Sequence, residues 1–206
     1  MSEEKAILYY VYDPMCSWCW GYKPVWDKVK QAVSDDVDIV YVLGGLAPDS
    51  AEPMPQEMQV QIASYWQKIE NYLGTSFNHD FWEKNTPRRS TYPSCRAILA
   101  ARAQGGELAM LEAIQTAYYL EAKNPSDNDV LLGCARSIGL DMTRFELDLL
   151  SPETNQALLD EITFSRSIGR SGFPSLFFKT ENELIEFPID YEKSEGTVAL
   201  LKSRLY

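Results

Sequence analysis

The chain has 206 residues, of which 45% are hydrophobic and 24% are charged, and its net charge at pH 7 is −11. This length suits one large domain, or a domain with an insertion, whose core needs no covalent cross-links. The acidic balance argues against non-specific binding to nucleic acid and against attraction to an acidic membrane surface.

The start of the chain shows no targeting signal. Met-Ser-Glu-Glu-Lys leads directly into a short apolar run, whereas a secretory signal has a basic start and a longer apolar stretch. No run approaches the roughly 20 apolar residues that are needed to span a bilayer. These features predict a cytoplasmic protein.

The first fifty residues predict a strand, a helix and a second strand. Residues 6–12 are apolar, aromatic or β-branched and form a run too short for a typical helix, so they predict a strand buried on both faces. Apolar residues then recur at helical spacing up to about Val33, and residues 37–43 predict the second strand. Such a βαβ unit has parallel strands and a right-handed crossover.

From residue 52 to about residue 166 the pattern changes to helices. Apolar stripes predict helices around residues 58–69, 97–103, 108–118, 131–138 and 152–168, with a short helix near Phe145. Strand signals return at 175–178 and 184–189, joined by a plausible hairpin turn, and a last helix covers 195–205. The order β-α-β, helical block, β-β-α predicts an α/β fold in which residues 1–50 and 165–206 form one domain and residues 51–164 an inserted helical domain.

The pair Cys16 and Cys19 lies where the first strand passes into the first helix. Disulfide exchange needs a thiolate that attacks and a second thiol close enough to release the trapped partner. At a helix start we expect Cys16 to be exposed at the N-cap and Cys19 to be more buried, three residues further on. Free backbone N–H groups and the helix dipole favour the charged form of Cys16. A Cys-x-x-Cys pair in this position is typical of thioredoxin-like redox proteins.

Two other uses of the pair are conceivable for a Cys-x-x-Cys spacing. A structural zinc site usually takes four Cys or His ligands, and this sequence offers neither a second close cysteine pair nor a histidine other than His79. A protease-like couple of Cys16 with His79 would need the two to meet, and the aromatic neighbours of His79 suggest packing instead. We therefore expect no metal.

The remaining cysteines lie on helical stripes. Cys95 and Cys134 are each spaced with apolar residues of a predicted helix, which favours buried small side chains. An auxiliary redox pair stays open, because the sequence gives no distance between them. The adjacent residues Arg88 and Arg89 leave a local basic patch open, but two arginines are more often a solvated turn.

A second motif, Gly172-Phe-Pro-Ser, stands immediately before a predicted strand. The plain interpretation of Pro174 is a strand-opening residue, because proline cannot donate to a strand ladder. The alternative is a cis proline, the one residue type for which a cis bond is inexpensive. If this strand lay beside the cysteine helix, backbone groups of Phe173 would be free to pair with an extended substrate next to Cys16.

The two motifs together carry a family resemblance. Asp-Pro-Met-Cys-Ser-Trp-Cys-Trp-Gly-Tyr, followed by a helical block and then Gly-Phe-Pro-Ser, resembles the DsbA-like thioredoxin family, in particular its cytosolic branch of predicted disulfide isomerases with Cys-Ser-Trp-Cys centres. The resemblance implies a thioredoxin-like fold with an inserted helical domain that caps the active site. It also implies that Cys16 is the nucleophile, that Cys19 resolves, and that Pro174 is cis beside them.

Two further residues are candidates for the site. Asp13 is a possible proton relay for Cys19, although the Asp-Pro pair is better explained as a turn that ends the strand. Trp18 lies between the cysteines and is the expected surface contact for a partner, together with Phe173.

The predicted function is therefore a protein disulfide oxidoreductase or isomerase that acts through a mixed disulfide on protein or small-molecule thiols and disulfides. Its only redox group is the Cys16–Cys19 pair, with no other cofactor. The alternatives are a glutathione-dependent isomerase or transferase, which Cys19 argues against, and a non-catalytic binding or adaptor protein on the same fold. The direction of catalysis and the oligomeric state are left open.

Overall fold

The computed structural model describes residues 5–205. Within this range one sheet has the strand order β2-β1-β3-β4. The strands are β1 (Ile7–Tyr12), β2 (Asp38–Leu43), β3 (Ser175–Lys179) and β4 (Leu184–Phe187). β1 runs parallel to β2 and antiparallel to β3, and β3 pairs antiparallel with β4. The predicted parallel βαβ unit and the C-terminal hairpin are confirmed.

The helices follow the predicted order. They are α1 (Ser17–Val33), α2 (Gln56–Leu73), α3 (Phe81–Lys84), α4 (Tyr92–Arg102), α5 (Glu107–Tyr119), α6 (Asn128–Ser137), α7 (Met142–Leu149), α8 (Pro152–Ser167) and α9 (Glu195–Leu205). Only α3 was not predicted, because four residues are too few to show a helical period. Gly74 ends α2 in the left-handed region at φ 70°, as its position after the apolar stripe suggested.

Strand β1 is the centre of the sheet and is covered on both faces. Its residues Leu8, Tyr10 and Tyr12 point into the large core that α1 also fills. Tyr9 and Val11 belong to a separate cluster on the other face. Because successive side chains of a strand alternate between faces, a strand with apolar residues at every position must be buried on both. The predicted burial of this strand is confirmed.

Helices α2 to α8, which lie between β2 and β3 in the chain, are called the helical segment. This segment is joined to the sheet through α8. A carboxylate oxygen of Glu161 in α8 accepts a hydrogen bond of 2.7 Å from the backbone N–H of Leu43 at the end of β2, and Glu161 also pairs with Arg102 of α4. These bonds hold α4 and α8 beside the carboxyl end of β2, near the cysteine motif. Helix α8 crosses the predicted domain boundary between residues 164 and 165, so the exact division into domains stays a prediction.

Candidate active site at the start of helix α1

The cysteine motif occupies the junction that the sequence predicted. β1 ends at Tyr12 and α1 begins at Ser17, so that Cys16 is the N-cap residue of the helix. Its backbone N–H donates to the carbonyl of Asp13 at 3.0 Å, and its own carbonyl accepts from Trp20 at 3.1 Å. The Cys16 side chain thus lies at the end of α1 where backbone N–H groups lack partners within the helix.

The two cysteines of the motif are both buried. The Cys19 side chain is 1% exposed, and burial raises the pKa of its thiol well above the ordinary value, with a further rise from the neighbouring Cys16 sulfur. Cys19 is therefore a protonated thiol at neutral pH. The expectation that Cys16 is exposed was wrong, since only 7% of it is accessible. It opens onto a cavity that is also lined by side chains of the helical segment and of the Phe173 loop.

The second motif lies against the first. The Cys16 sulfur is 3.8 Å from the backbone carbonyl oxygen of Phe173, which is 157 residues further along the chain. The Phe173–Pro174 peptide bond is cis, and Pro174 is buried immediately before β3. Because β3 pairs with β1, the loop before β3 is brought to the end of β1 where the cysteine motif begins.

Cys16 faces a cavity of about 410 Å³. Its apolar wall comes from the start of α1, the loop after β2 and the helical segment, with the side chains of Met15, Trp18, Leu46, Met54, Ile62 and Tyr65. Trp18 is half-buried in this wall, and its ring also packs on Tyr191 with the ring centroids 5.1 Å apart. A volume of this size is typical of sites that hold a small molecule or a short peptide segment.

Three arginines line the same cavity. Arg88 and Arg89 are half-buried there and are joined by Arg170 from the loop before β3, so they form the local basic patch that the sequence left open and not the favoured solvated turn. Arg88 forms an ion pair with Asp127. The Arg170 guanidinium lies 4.6 Å from the centre of the Phe173 ring, and its Nε donates to Ser165 at 3.1 Å. The tertiary fold, not the local sequence, directs these side chains to Cys16.

Asp13 is completely buried at the end of β1. One of its carboxylate oxygens accepts a hydrogen bond from the backbone N–H of Met15 at 2.8 Å, as expected of a turn residue. The other accepts from the N–H of Leu46 at 2.7 Å and from the hydroxyl of Thr91 at 2.6 Å. Burial raises the pKa of the Asp13 carboxyl, and these hydrogen bonds counteract only part of that rise.

The two isolated cysteines are buried, as predicted. Cys95 is fully buried in α4, where its thiol lies 3.5 Å from the Asp13 carboxylate, and burial raises its pKa well above the ordinary value. Cys134 is 7% exposed, and burial raises the pKa of its thiol as well. Neither cysteine forms a disulfide in the structure.

His79 packs within the helical segment, as its aromatic neighbours suggested. Its ring nitrogen lies 2.8 Å from a carboxylate oxygen of Glu70, and its ring packs edge-on against Trp66. Across residues 5–205, no three side chains of His, Cys, Asp or Glu are grouped so as to hold a metal ion. Over the same residues, none of the helices has the length and apolar character required to cross a membrane.

Several residues around the cysteines had no signal in the sequence. Thr91, Tyr118 and Arg170 come from three separate segments, and nothing in their local sequence indicates a site. Only the proximity of strand, loop and helical segment in the fold brings them to Cys16. Among these three, only Thr91 has a local signal, since it precedes a helix with proline in its first turn.

The sheet order, the Cys-x-x-Cys pair at a helix start and the proline loop beside it define a thioredoxin-like protein with a helical insertion. A family model described as Thioredoxin matches residues 9–189, and the chain belongs to this family. Solved DsbA-like proteins and disulfide isomerases share its fold, as the resemblance implied.

Two solved structures are similar over nearly the whole chain. A candidate protein disulfide isomerase from Nitrosomonas europaea is 28% identical, with a TM-score of 0.86 and 98% of each chain covered. The cytosolic disulfide reductase DsbM from Pseudomonas aeruginosa, solved with GSH, is 25% identical with a TM-score of 0.76, covering 97% of this chain and 98% of that one.

One curated relative is named as an adapter protein and not for disulfide chemistry. The ClpXP adapter protein SpxH of Bacillus subtilis (strain 168) is 30% identical over 181 residues, which cover 85% of this chain and 59% of the relative. The chain therefore spans about three fifths of the length of the curated relatives that it matches.

Proposed function

We propose that the chain is a thiol–disulfide oxidoreductase in which Cys16 attacks a disulfide and Cys19 resolves the mixed disulfide. One observation carries the proposal: at the N-cap of α1, beside a second cysteine one turn deeper, the Cys16 sulfur opens onto a cavity of about 410 Å³. This arrangement combines a nucleophile, a resolving thiol and room for a substrate.

The reaction conserves atoms and electrons in two displacements. The Cys16 thiolate attacks one sulfur of the substrate disulfide, and the other sulfur leaves as a thiolate and takes up a proton. Cys19 then loses its proton and attacks the Cys16 sulfur, which releases the second substrate thiol. The substrate gains two electrons, the protein becomes the Cys16–Cys19 disulfide, and the reverse sequence oxidises a dithiol. This pair is the only redox group that we propose.

Asp13 is the proposed acceptor of the Cys19 proton. Burial and the Cys16 sulfur raise the pKa of the Cys19 thiol. Asp13 also affects this pKa: a hydrogen bond with its backbone lowers it, and the charge of its carboxyl raises it. A thiol that is buried and protonated needs a nearby base before it can attack. The Asp13 carboxyl, itself buried with a raised pKa, has the proton affinity that such a transfer requires.

Phe173 and Trp18 are the proposed substrate contacts, with Pro174 as the buried residue that fixes the loop. The Phe173 carbonyl lies 3.8 Å from the Cys16 sulfur, where it would accept a backbone N–H of an extended substrate. Trp18, which follows Cys16 in α1, contributes to the apolar wall of the same cavity. We further propose cytosolic action, in line with the similarity to the cytosolic reductase DsbM.

The test is a single turnover of the reduced protein with a neutral peptide disulfide, read by mass spectrometry. The wild-type chain should form the Cys16–Cys19 disulfide and release two peptide thiols. Cys19→Ser should stop at the mixed disulfide on Cys16, and Cys16→Ser should not react. Cys134→Ser, which removes a cysteine of the same low exposure, is the matched control and should behave as wild type. Normal turnover by Cys16→Ser would overturn the proposal.

A second candidate function rests on the curated relatives. Their name describes an adapter for ClpXP, and an adapter needs a binding surface but no redox chemistry. Binding of the purified chain to purified ClpXP, measured by analytical ultracentrifugation, tests this function. Equal binding by the wild type and by a Cys16→Ser, Cys19→Ser double variant would support a non-catalytic adapter role; absence of binding would remove it.

A glutathione-dependent activity is a third candidate function, because the similar reductase DsbM was solved with GSH. A glutathione-dependent isomerase or transferase would use glutathione in the absence of any disulfide substrate. The presence of Cys19 favours disulfide exchange instead, since a resolving thiol has no part in a transferase. Turnover that requires glutathione without a disulfide would reverse this preference.

A further inference from the structure

We propose that the cavity beside Cys16 selects disulfides that carry carboxylate groups within one or two residues of the attacked sulfur. Arg89, Arg170 and the Tyr118 hydroxyl would bind those carboxylates. The proposal rests on the proposed function and names the substrate class of the same site.

The charge of the cavity is opposite to that of the chain. The sequence has 30 acidic and 19 basic residues, yet the lining of this cavity contains three arginines and, among residues 5–205, no aspartate or glutamate. Asp13 lies beneath the lining, where its carboxylate is already bonded to backbone and side-chain donors. An anion that enters the cavity therefore meets positive charge without a facing carboxylate, within a chain that repels anions elsewhere.

Two of the three arginines are available to a ligand. Arg88 is neutralised by its ion pair with Asp127. Within the described range of the chain, Arg89 and Arg170 take part in no ion pair, and Arg170 uses only Nε in its bond to Ser165. Stacking on the Phe173 ring holds the Arg170 guanidinium in place and leaves its two terminal amino groups to bind an acceptor. A planar guanidinium binds a carboxylate through two parallel hydrogen bonds.

Tyr118 adds a third donor to the cavity. Its side chain is only 5% exposed and lines the cavity, and between residues 5 and 205 its hydroxyl has no hydrogen-bond partner. The hydroxyl oxygen is not enclosed by protein atoms, so it faces the open space of the cavity and can donate to a ligand there. Burial raises the pKa of this hydroxyl and the positive charge of Arg89 lowers it, and both residues line the cavity. A carboxylate there would accept bonds from both.

The position of these donors explains why the carboxylate should be close to the sulfur. The Arg170 guanidinium lies over the ring of Phe173, and the carbonyl of the same residue is 3.8 Å from the Cys16 sulfur. A substrate whose sulfur contacts Cys16 thus brings its neighbouring side chains, or a terminal carboxylate, to the arginines. Small thiols with carboxylates and acidic protein segments share this chemistry.

The experiment compares three matched substrates in single turnovers of the reduced protein: the disulfide-linked dimers of acetyl-Glu-Cys-Glu-amide, acetyl-Gln-Cys-Gln-amide and acetyl-Lys-Cys-Lys-amide. Glutamate and glutamine have the same shape, so they differ only in charge. We expect the Glu peptide to react at least about tenfold faster than the Gln peptide, as expected for hydrogen bonds to charged groups, and the Lys peptide to react slowest. Glutathione disulfide is run in parallel to distinguish a small-molecule source from a peptide.

The arginines are tested through the ratio of the Glu to the Gln rate. Arg89→Gln and Arg170→Gln should each reduce that ratio severalfold, and Arg136→Gln, which removes the same charge from the exposed face of α6, should not. If Arg170→Gln does not fold, Arg89→Gln carries the test alone. In the wild type, raising NaCl from about 0.01 to 0.5 M should reduce the ratio, because salt screens charges that are open to solvent.

The outcomes separate the two proposals. If none of the disulfides reacts with Cys16, the proposed function fails. If all react at equal rates, or if Arg136→Gln changes the ratio as much as Arg89→Gln, the oxidoreductase stands and the carboxylate selectivity is overturned. A fast reaction of the Glu peptide with slow glutathione disulfide identifies an acidic peptide as the source, and the reverse identifies a small thiol.

Discussion

The Cys95 thiol donates a hydrogen bond to a carboxylate oxygen of Asp13, 82 residues earlier in the chain, across a distance of 3.5 Å. The same oxygen accepts from Leu46 after β2 and from Thr91 before α4. One buried carboxylate therefore joins the end of β1 to the helical segment directly beneath the cysteine pair. Changes at this carboxylate should affect both the stability of the junction and the chemistry of Cys19.

Thr91→Val should destabilise the protein by about 1–3 kcal/mol, because it leaves a buried carboxylate oxygen without its shortest hydrogen bond. The hydroxyl of Thr91 also accepts from the backbone N–H of Ala47, which would lose its partner. Urea unfolding measures the change. Thr91→Ser keeps the hydroxyl and should cost much less; equal losses for the two variants would contradict the role of the hydrogen bonds.

Asp13 should make stability fall as pH rises through its own titration. The pKa of the folded carboxyl is raised above 3.8 by burial, so its protonated form is favoured by folding. Its contribution is fully present below the unfolded pKa and is lost as pH rises through the folded pKa. The difference in unfolding free energy between wild type and Asp13→Asn should therefore decrease with pH above about 4, at up to about 1.4 kcal/mol per pH unit, and then level off.

Urea unfolding of both proteins between about pH 4 and 8 measures this difference. Taking the difference cancels the titration of groups that both proteins share. A difference that increases with pH would mean that the folded protein favours the charged form of Asp13, against the expected sign.

The same variant should slow the second chemical step. Without the Asp13 carboxyl, the buried Cys19 thiol lacks the proposed base, so Asp13→Asn should accumulate the mixed disulfide on Cys16 while Cys16 attacks at its usual rate. Rapid acid quenching followed by mass spectrometry separates the two steps. Thr91→Ser serves as the comparison, because it disturbs the same cluster and retains the carboxyl. Equal slowing of both steps would indicate a general distortion of the site.

Among the four thiols, that of Cys16 should react first with iodoacetamide. Cys16 opens onto the cavity and should be modified first. Burial keeps the reagent away from Cys19 and Cys95, and because it also raises the pKa of both thiols, little of the reactive thiolate is present. Peptide mass spectrometry of the native protein gives the order, and the unfolded protein gives the reference in which all four react. Early modification of Cys95 in the native state would contradict the tight packing of the Asp13 cluster.

Gly44→Ala should disturb the Phe173 loop from the end of β2. An added Cβ at Gly44 would lie 1.9 Å from a ring carbon of Phe173, so the ring has to move. We expect a loss of about 1–3 kcal/mol in unfolding free energy and slower reaction of Cys16, whose sulfur contacts the Phe173 carbonyl. Gly133→Ala in α6 meets no atom within 4 Å and should be neutral or slightly stabilising. A neutral Gly44→Ala would show that the ring position is not needed.

Much of the fold could be predicted because its signals are local. A run of apolar residues at 6–12, helical spacing up to Val33 and a cysteine pair between them depend only on neighbours in the chain, and the structure has β1 and α1 at these places. The glycine after α2 marked the helix end for the same reason. Helix α3 was missed, since four residues hold no period.

The sequence by itself determined the class of fold, the position of Cys16 at a helix N-cap and the burial of Cys19, because capping and periodicity act within a few residues. Only the tertiary structure decided what surrounds the sulfur. The pairing of β3 with β1 brings Phe173 and Arg170 to Cys16, and the helical segment adds Arg89 and covers the site. Charge and burial at a point in space depend on segments that the chain keeps far apart, which is why an acidic protein with a basic cavity could not be foreseen from its composition.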